Sequence, residues 1–146
     1  MSDVGDAIIS IRPHFAEAIL SGAKTVELRR RIPSIEIGTR LWIYATRPTG
    51  AVIGSAILEK IVTQSPSELW ASCGDKAAVD RITFDNYFDG VSVALGLFLS
   101  NVCRSAPVDI SRLRQMRQGF HPPQVIARLS MAESCSLGEM IGEGAR

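Results

Sequence analysis

Cysteine and histidine are scarce in this sequence: Cys73, Cys103 and Cys135, with His14 and His121, are the whole supply in 146 residues. The cysteines stand far apart, with no C-x-x-C and no paired spacing, so there is no disulfide framework and a reducing compartment is implied. Each is best read as a small buried hydrophobe or a bystander. With no His/Cys cluster, no metal-ligand set can be read, and no metal or resident cofactor is expected. Long apolar runs are also missing. The longest, Val91 to Leu99, falls short of the roughly 20 residues that cross a bilayer, and Met1 to Asp6 lacks the basic start and apolar run of a secretory signal. Both absences point to a cytoplasmic protein that does not enter membranes. Net charge is low, at +1. The field of the whole molecule will not hold nucleic acid by itself, so any anion site must be local. Lysine is rare, since only Lys24, Lys60 and Lys76 among the 16 basic residues are lysines. The arginine excess suits phosphate, which a planar guanidinium grips better than a point charge does.

What is present suits one ordinary globular domain. Apolar residues make up 46% and charged residues 21%, enough to bury a core at this length. No repeat, low-complexity run or linker divides residues 1–146. The core is expected over about residues 7–130, followed from Met131 by a glycine-rich, partly mobile tail. Ala7 to Ile11 reads as a strand, and Pro13 opens a helix that Gly22 stops. Thr25 to Arg30 alternates, with Val26 and Leu28 on one face and Thr25, Glu27 and Arg29 on the other. Strands follow at Leu41 to Ala45 and Ala51 to Thr63, around the turn Arg47 to Gly50. Ser65-Pro66-Ser67-Glu68 has the form of a capping box and should start a helix. A second helical stretch is expected from Asp75 toward Phe88. Ser92 to Val102 and Gln124 to Ser130 read as strands, with a short helix at Asp109 to Gln118. The fold class is therefore α+β, mainly β: a small antiparallel β-barrel with flanking helices.

Lys24, Glu27 and Arg29 carry the chemistry. Glu27 and Arg29 lie about 7 Å apart along one face of a strand, and Lys24 sits at the bend before it. Two cations and an acceptor converging in one cleft suit a phosphate and a base's exocyclic amine. The same three groups suit acid/base work if burial lowers the lysine pKa. An isolated K-x-x-E-x-R is more often a solvated ion pair that contributes little.

The context decides between these readings. Gly22-Ala23-Lys24-Thr25-Val26-Glu27-Leu28-Arg29 fits G-x-K-x-x-E-x-R directly after a helix, and this string resembles the signature of the ASCH family. Ser10-Ile11-Arg12-Pro13, Tyr44-Ala45-Thr46, Tyr87-Phe88-Asp89-Gly90 and Pro122-Pro123-Gln124 extend the likeness over most of residues 7 to 130. The resemblance implies a PUA-like β-barrel whose cleft is flanked by the signature residues, and an RNA- or nucleotide-binding module. Some relatives hydrolyse RNA or N4-acetylated cytidine. Those acting on acetylcytidine place a threonine three residues after the lysine; this chain has Glu27 there and Thr25 directly after the lysine, which argues against deacetylation. The expected ligand-binding set is Arg12, Lys24, Glu27, Arg29 and Tyr44. Arg12 stands where a helix N-terminus could meet a phosphate, and Tyr44 could stack on a base, although strand tyrosines are more often core rings. Arg30 and Arg31 cannot all share a face with Arg29, and Arg112, Arg114 and Arg117 read as a solvated helix face. In the alternative, Lys24 and Glu27 are catalytic groups of a hydrolase, either a ribonuclease that uses a divalent cation or a modified-nucleoside amidohydrolase. A third reading, from another class, is a peptide-binding module. At its bend Lys24 is expected to face solvent, so that its truncation would change stability by only about 0.5 kcal/mol.

Overall fold

Residues 4–144 are described by the computed structural model. They run β1 (Asp6–Ile11), α1 (Pro13–Ser21), β2 (Val26–Arg29), β3 (Arg40–Ala45), β4 (Ala51–Gln64), α2 (Pro66–Cys73), α3 (Arg81–Tyr87), β5 (Ala94–Asp109), α4 (Ile110–Met116), β6 (Ile126–Arg128) and α5 (Met131–Gly144). The strands form one sheet in the order β2-β5-β4-β3-β1-β6. All neighbouring pairs are antiparallel except β1 with β3. A parallel pair needs a crossover, and α1 supplies it. The expected α+β, mainly β architecture is thus present, as a mixed six-stranded half-barrel rather than a fully antiparallel one.

Alternation along the strands divides the core into three. Ala7, Ile9 and Ile11 of β1 join Leu41, Ile43 and Ala45 of β3 beneath α1, which contributes Ala16 and Ile19. The opposite side chains, Ile8, Trp42 and Tyr44, meet Val108, Leu113, Phe120 and Leu137 under α4 and α5. Val26 and Leu28, on the outer side of β2, pack against Leu69, Phe84 and Phe88 of the α2–α3 region. With its apolar face spent there, β2 turns Glu27 and Arg29 toward the concavity of the sheet.

Three local expectations change. The capping box at Ser65 and Glu68 forms, but Asp75 does not cap a long helix; a 3-10 turn at Gly74–Lys76 precedes α3, whose N-cap is Asp80. Ala78, at φ 56°, lies in the left-handed region between them and interrupts any continuous helix. β5 continues to Asp109, well past Val102, because its partner β4 is nearly as long and pairs along most of its length. The tail expected from Met131 is instead helix α5, with Leu137 fully buried. Its start is a second capping box: the Glu133 amide donates to Ser130 Oγ, and the Ser130 amide donates to Glu133 Oε1. Leu137, Met140 and Ile141 at helical spacing then find the second core cluster. Residues 145 and 146 lie outside the described residues.

Candidate functional site

The approach to β2 buries a lysine. Gly22 adopts φ 88°, which a residue with a Cβ enters only under strain, and its amide caps α1 on the Ile19 carbonyl. The next amides are held from both sides: Lys24 N–H donates to Ala18 O at 3.0 Å and Thr25 N–H to Lys76 O at 2.9 Å. Lys24 is therefore driven inward and is only 2% exposed. This corrects the expectation of a solvent-facing residue at a bend. Its ammonium donates to the Ala77 carbonyl, lies 3.6 Å from Glu27 Oε1 and sits 4.8 Å from the centre of the Phe15 ring. Burial pulls the Lys24 pKa below the ordinary lysine value, and the neighbouring Glu27 carboxylate only partly opposes this.

Glu27 links the two cations. Its Oε2 accepts from Arg29 Nε at 2.9 Å and from Arg29 Nη2 at 2.7 Å, a two-pronged contact that fixes the guanidinium plane. Arg29 Nη2 also donates to the Ser10 carbonyl at 2.7 Å. β1 and β2 are not neighbours in the sheet, so this bond spans the open side of the half-barrel. Among the described residues no acceptor engages Arg29 Nη1.

These groups line a cavity of about 630 Å³, within the range of small-molecule sites. Its lining includes the polar groups of Lys24, Glu27, Arg29, Arg12 and Ser10 and the rings of Phe15, Phe84 and Tyr87. The Ser10 hydroxyl is buried there without a hydrogen-bond partner among the described residues. Arg12, just before α1, is exposed at the edge. Among the described lining residues Glu27 is the one carboxylate, and both its oxygens face cations. Three of the four charged lining groups are cationic, and among the described residues no group of three or more His, Cys, Asp or Glu could hold a metal ion.

Four of the five expected site residues, Arg12, Lys24, Glu27 and Arg29, thus meet in one cavity. Tyr44 does not line it. Alternation in β3 sends that ring to the opposite face with Trp42, where it is 3% exposed and lies edge-on to Phe120, with 6.5 Å between centroids. Thr25 is exposed outside the cavity lining, as are Arg30 and Arg31. Arg112 and Arg117, rather than forming a free solvated face, hold α5 through Glu143 and Glu133, and Arg114 donates to the Phe120 carbonyl. Sequence reasoning missed the aromatic lining. Phe15 reads as ordinary helix core, and Tyr87, although it stands in the Tyr87-Phe88-Asp89-Gly90 segment that resembles the family, has no strand or spacing signal that assigns it to the site.

Comparison with known proteins gives one consistent answer. The ASCH domain profile matches residues 9–101. An ASCH domain-containing ribonuclease of Zymomonas mobilis subsp. mobilis is 41% identical over 140 residues, covering 94% of this chain and 95% of that protein. The crystal structure of ASCH from Zymomonas mobilis superposes with a TM-score of 0.91 at 40% identity, covering 94% of this chain and 96% of the other. The N-terminal domain of Staphylothermus marinus McrB, at 11% identity and a TM-score of 0.58 over 92% of this chain and 93% of its own, shares the fold alone. The G-x-K-x-x-E-x-R string, the cavity it builds and these likenesses converge, and the chain belongs to the ASCH domain family.

Proposed function

We propose that the cavity receives one unpaired nucleotide of an RNA strand. The observation that carries this reading is the meeting, in one cavity of about 630 Å³, of Arg12, Lys24 and Arg29 with the rings of Phe15, Phe84 and Tyr87. Phosphate meets Arg12 and the free Nη1 of Arg29, and the base lies against the aromatic side, the usual way in which proteins hold splayed-out RNA bases. Glu27 acts in this reading by holding Lys24 and Arg29 in place, through an ion pair with the first and two hydrogen bonds from the second. No cofactor is required.

A second reading, hydrolysis of the bound RNA, is favoured by the relative named as a ribonuclease. Lys24 is the group suited to it. A lysine whose pKa is lowered by burial gives up a proton to a leaving oxygen more readily than an exposed one, and its charge steadies the phosphate in the transition state. The position three residues after the lysine, where relatives acting on acetylcytidine carry a threonine, holds Glu27, and Thr25 lies outside the cavity lining.

Single-stranded RNA, duplex RNA and modified nucleosides, incubated with and without Mg²⁺ or Mn²⁺, separate these readings when retention and turnover are both scored. Retention of single-stranded over duplex RNA supports the nucleotide site, and turnover of the retained RNA adds the ribonuclease reading. In Arg12→Ala, which removes one of the two phosphate contacts, affinity is expected to fall roughly tenfold, the value of one charge-assisted contact, and in Lys24→Met, which keeps volume and removes charge, any turnover is expected to vanish. Parent-like affinity in the first variant and parent-like turnover in the second would place the function outside this cavity.

A further inference from the structure

Resting on the reading of the cavity as a nucleotide site, we infer that Tyr87 is its base-stacking residue and that α3 is the element that holds this ring in place. Tyr87 is the last residue of α3, lines the cavity and is 40% exposed, whereas its aromatic neighbours Phe84 and Phe88 are almost fully buried. An exposed ring at a helix end has no packing reason to hold one orientation, yet this one is braced. Its centroid lies 4.8 Å from that of Phe88, edge to face; Phe88 lies 4.8 Å from Phe84; and Phe84 lies 5.0 Å from Trp70 of α2. The series continues to Arg81, whose guanidinium stands 5.2 Å from the Trp70 ring. α3 spans only 7 residues, too few to be stable alone, so this aromatic series and the third core cluster give it its position.

The polar partners stand beside the ring. Tyr87, Arg29 and Glu27 line the same cavity, so a base on the ring has the guanidinium within the same space for its phosphate. A pre-ordered tyrosine contributes contact area at little entropic cost, because its two side-chain torsions are already settled in the free protein. Stacking on it is tolerant of sequence, since every base has a π face. Discrimination at this position is therefore between a nucleotide with an accessible base and one without, rather than among the four bases.

The test compares parent, Tyr87→Phe, Tyr87→Ala and Arg12→Ala in binding to a short single-stranded oligoribonucleotide and to the same strand with abasic positions. Ring exposure makes both Tyr87 variants compatible with the fold, which thermal melting checks. Loss of the ring in Tyr87→Ala is expected to weaken binding of the base-containing strand roughly fivefold to a hundredfold, with little change for the abasic strand, while Tyr87→Phe stays close to parent. Equal losses on both strands, or parent-like affinity in Tyr87→Ala while Arg12→Ala is weakened, overturn the stacking role and leave the nucleotide reading standing. Failure of the parent to retain either strand overturns both.

Discussion

Lys24 decides most at the scale of single residues. Its tetramethylene stem fills space beside Phe15, and its ammonium satisfies the Ala77 carbonyl and faces Glu27. Truncation to alanine leaves a cavity and an unpaired carbonyl, so Lys24→Ala is expected to lose about 2–4 kcal/mol in urea unfolding, the range for large core truncations. Methionine keeps the volume and Arg29 still neutralises Glu27, but the Ala77 carbonyl is left unpaired, so Lys24→Met is expected to lose about 1–3 kcal/mol, the cost of one unsatisfied buried group. A Lys24→Ala variant as stable as parent would contradict this burial. The pH dependence follows from the lowered pKa. Between that value and the ordinary one near 10.5, the unfolded chain binds a proton that the folded chain has released. Stability therefore rises with pH through that window, and below it the cost of burying the charge is fully present. Unfolding at neutral pH and at about pH 10 should show parent gaining on Lys24→Met at the higher value.

At the scale of elements, α5 shows how a short polar signal outweighs a compositional one. Gly138, Gly142 and Gly144 make the segment read as a loose tail, whereas Ser130 and Glu133 form a capping box and Leu137 supplies an apolar anchor. Glu133 also accepts from Arg117 of the α4 region. That contact, chiefly, draws its pKa from 4.5 to about 2, with the Ser130 amide assisting. A lowered carboxylate pKa contributes stability that is complete above the unfolded value and is lost as pH falls through the folded one. The Arg117 to Glu133 contribution should thus fade between pH 4.5 and about 2. Glu133→Gln is expected to lose about 1–2 kcal/mol at neutral pH, the scale of a charge-assisted bond, and to flatten this acid limb. An acid limb identical in the variant would assign the pH dependence to other carboxylates.

For the molecule as a whole, a net charge of +1 leaves attraction of nucleic acid to the cavity. Arg12 and Arg29 face one phosphate there, so the logarithm of RNA affinity should fall with the logarithm of salt at a slope of about −0.7, the value for one neutralised phosphate on a single strand. A steep slope, of about −4 or beyond, would indicate a broad basic track instead. Sequence alone determined the elements and their faces in much of the chain. β1, α1, β2 and the capping box at Ser65 follow from alternation, proline and glycine placement, and hydrogen bonds within four residues. It also determined that Glu27 and Arg29 share a face, because a period of two admits no other arrangement. Only the tertiary structure decided what those faces meet. The burial of Lys24 depends on the carbonyls of Ala18, Lys76 and Ala77, the last two more than fifty residues away in the chain. The exclusion of Tyr44 from the cavity depends on which side of β3 the α4 and α5 helices cover. The place of Tyr87 beside Arg29 depends on α3 folding back over β2. Each is a contact between segments distant in sequence, where no local period carries the information and the packing of the sheet settles the outcome.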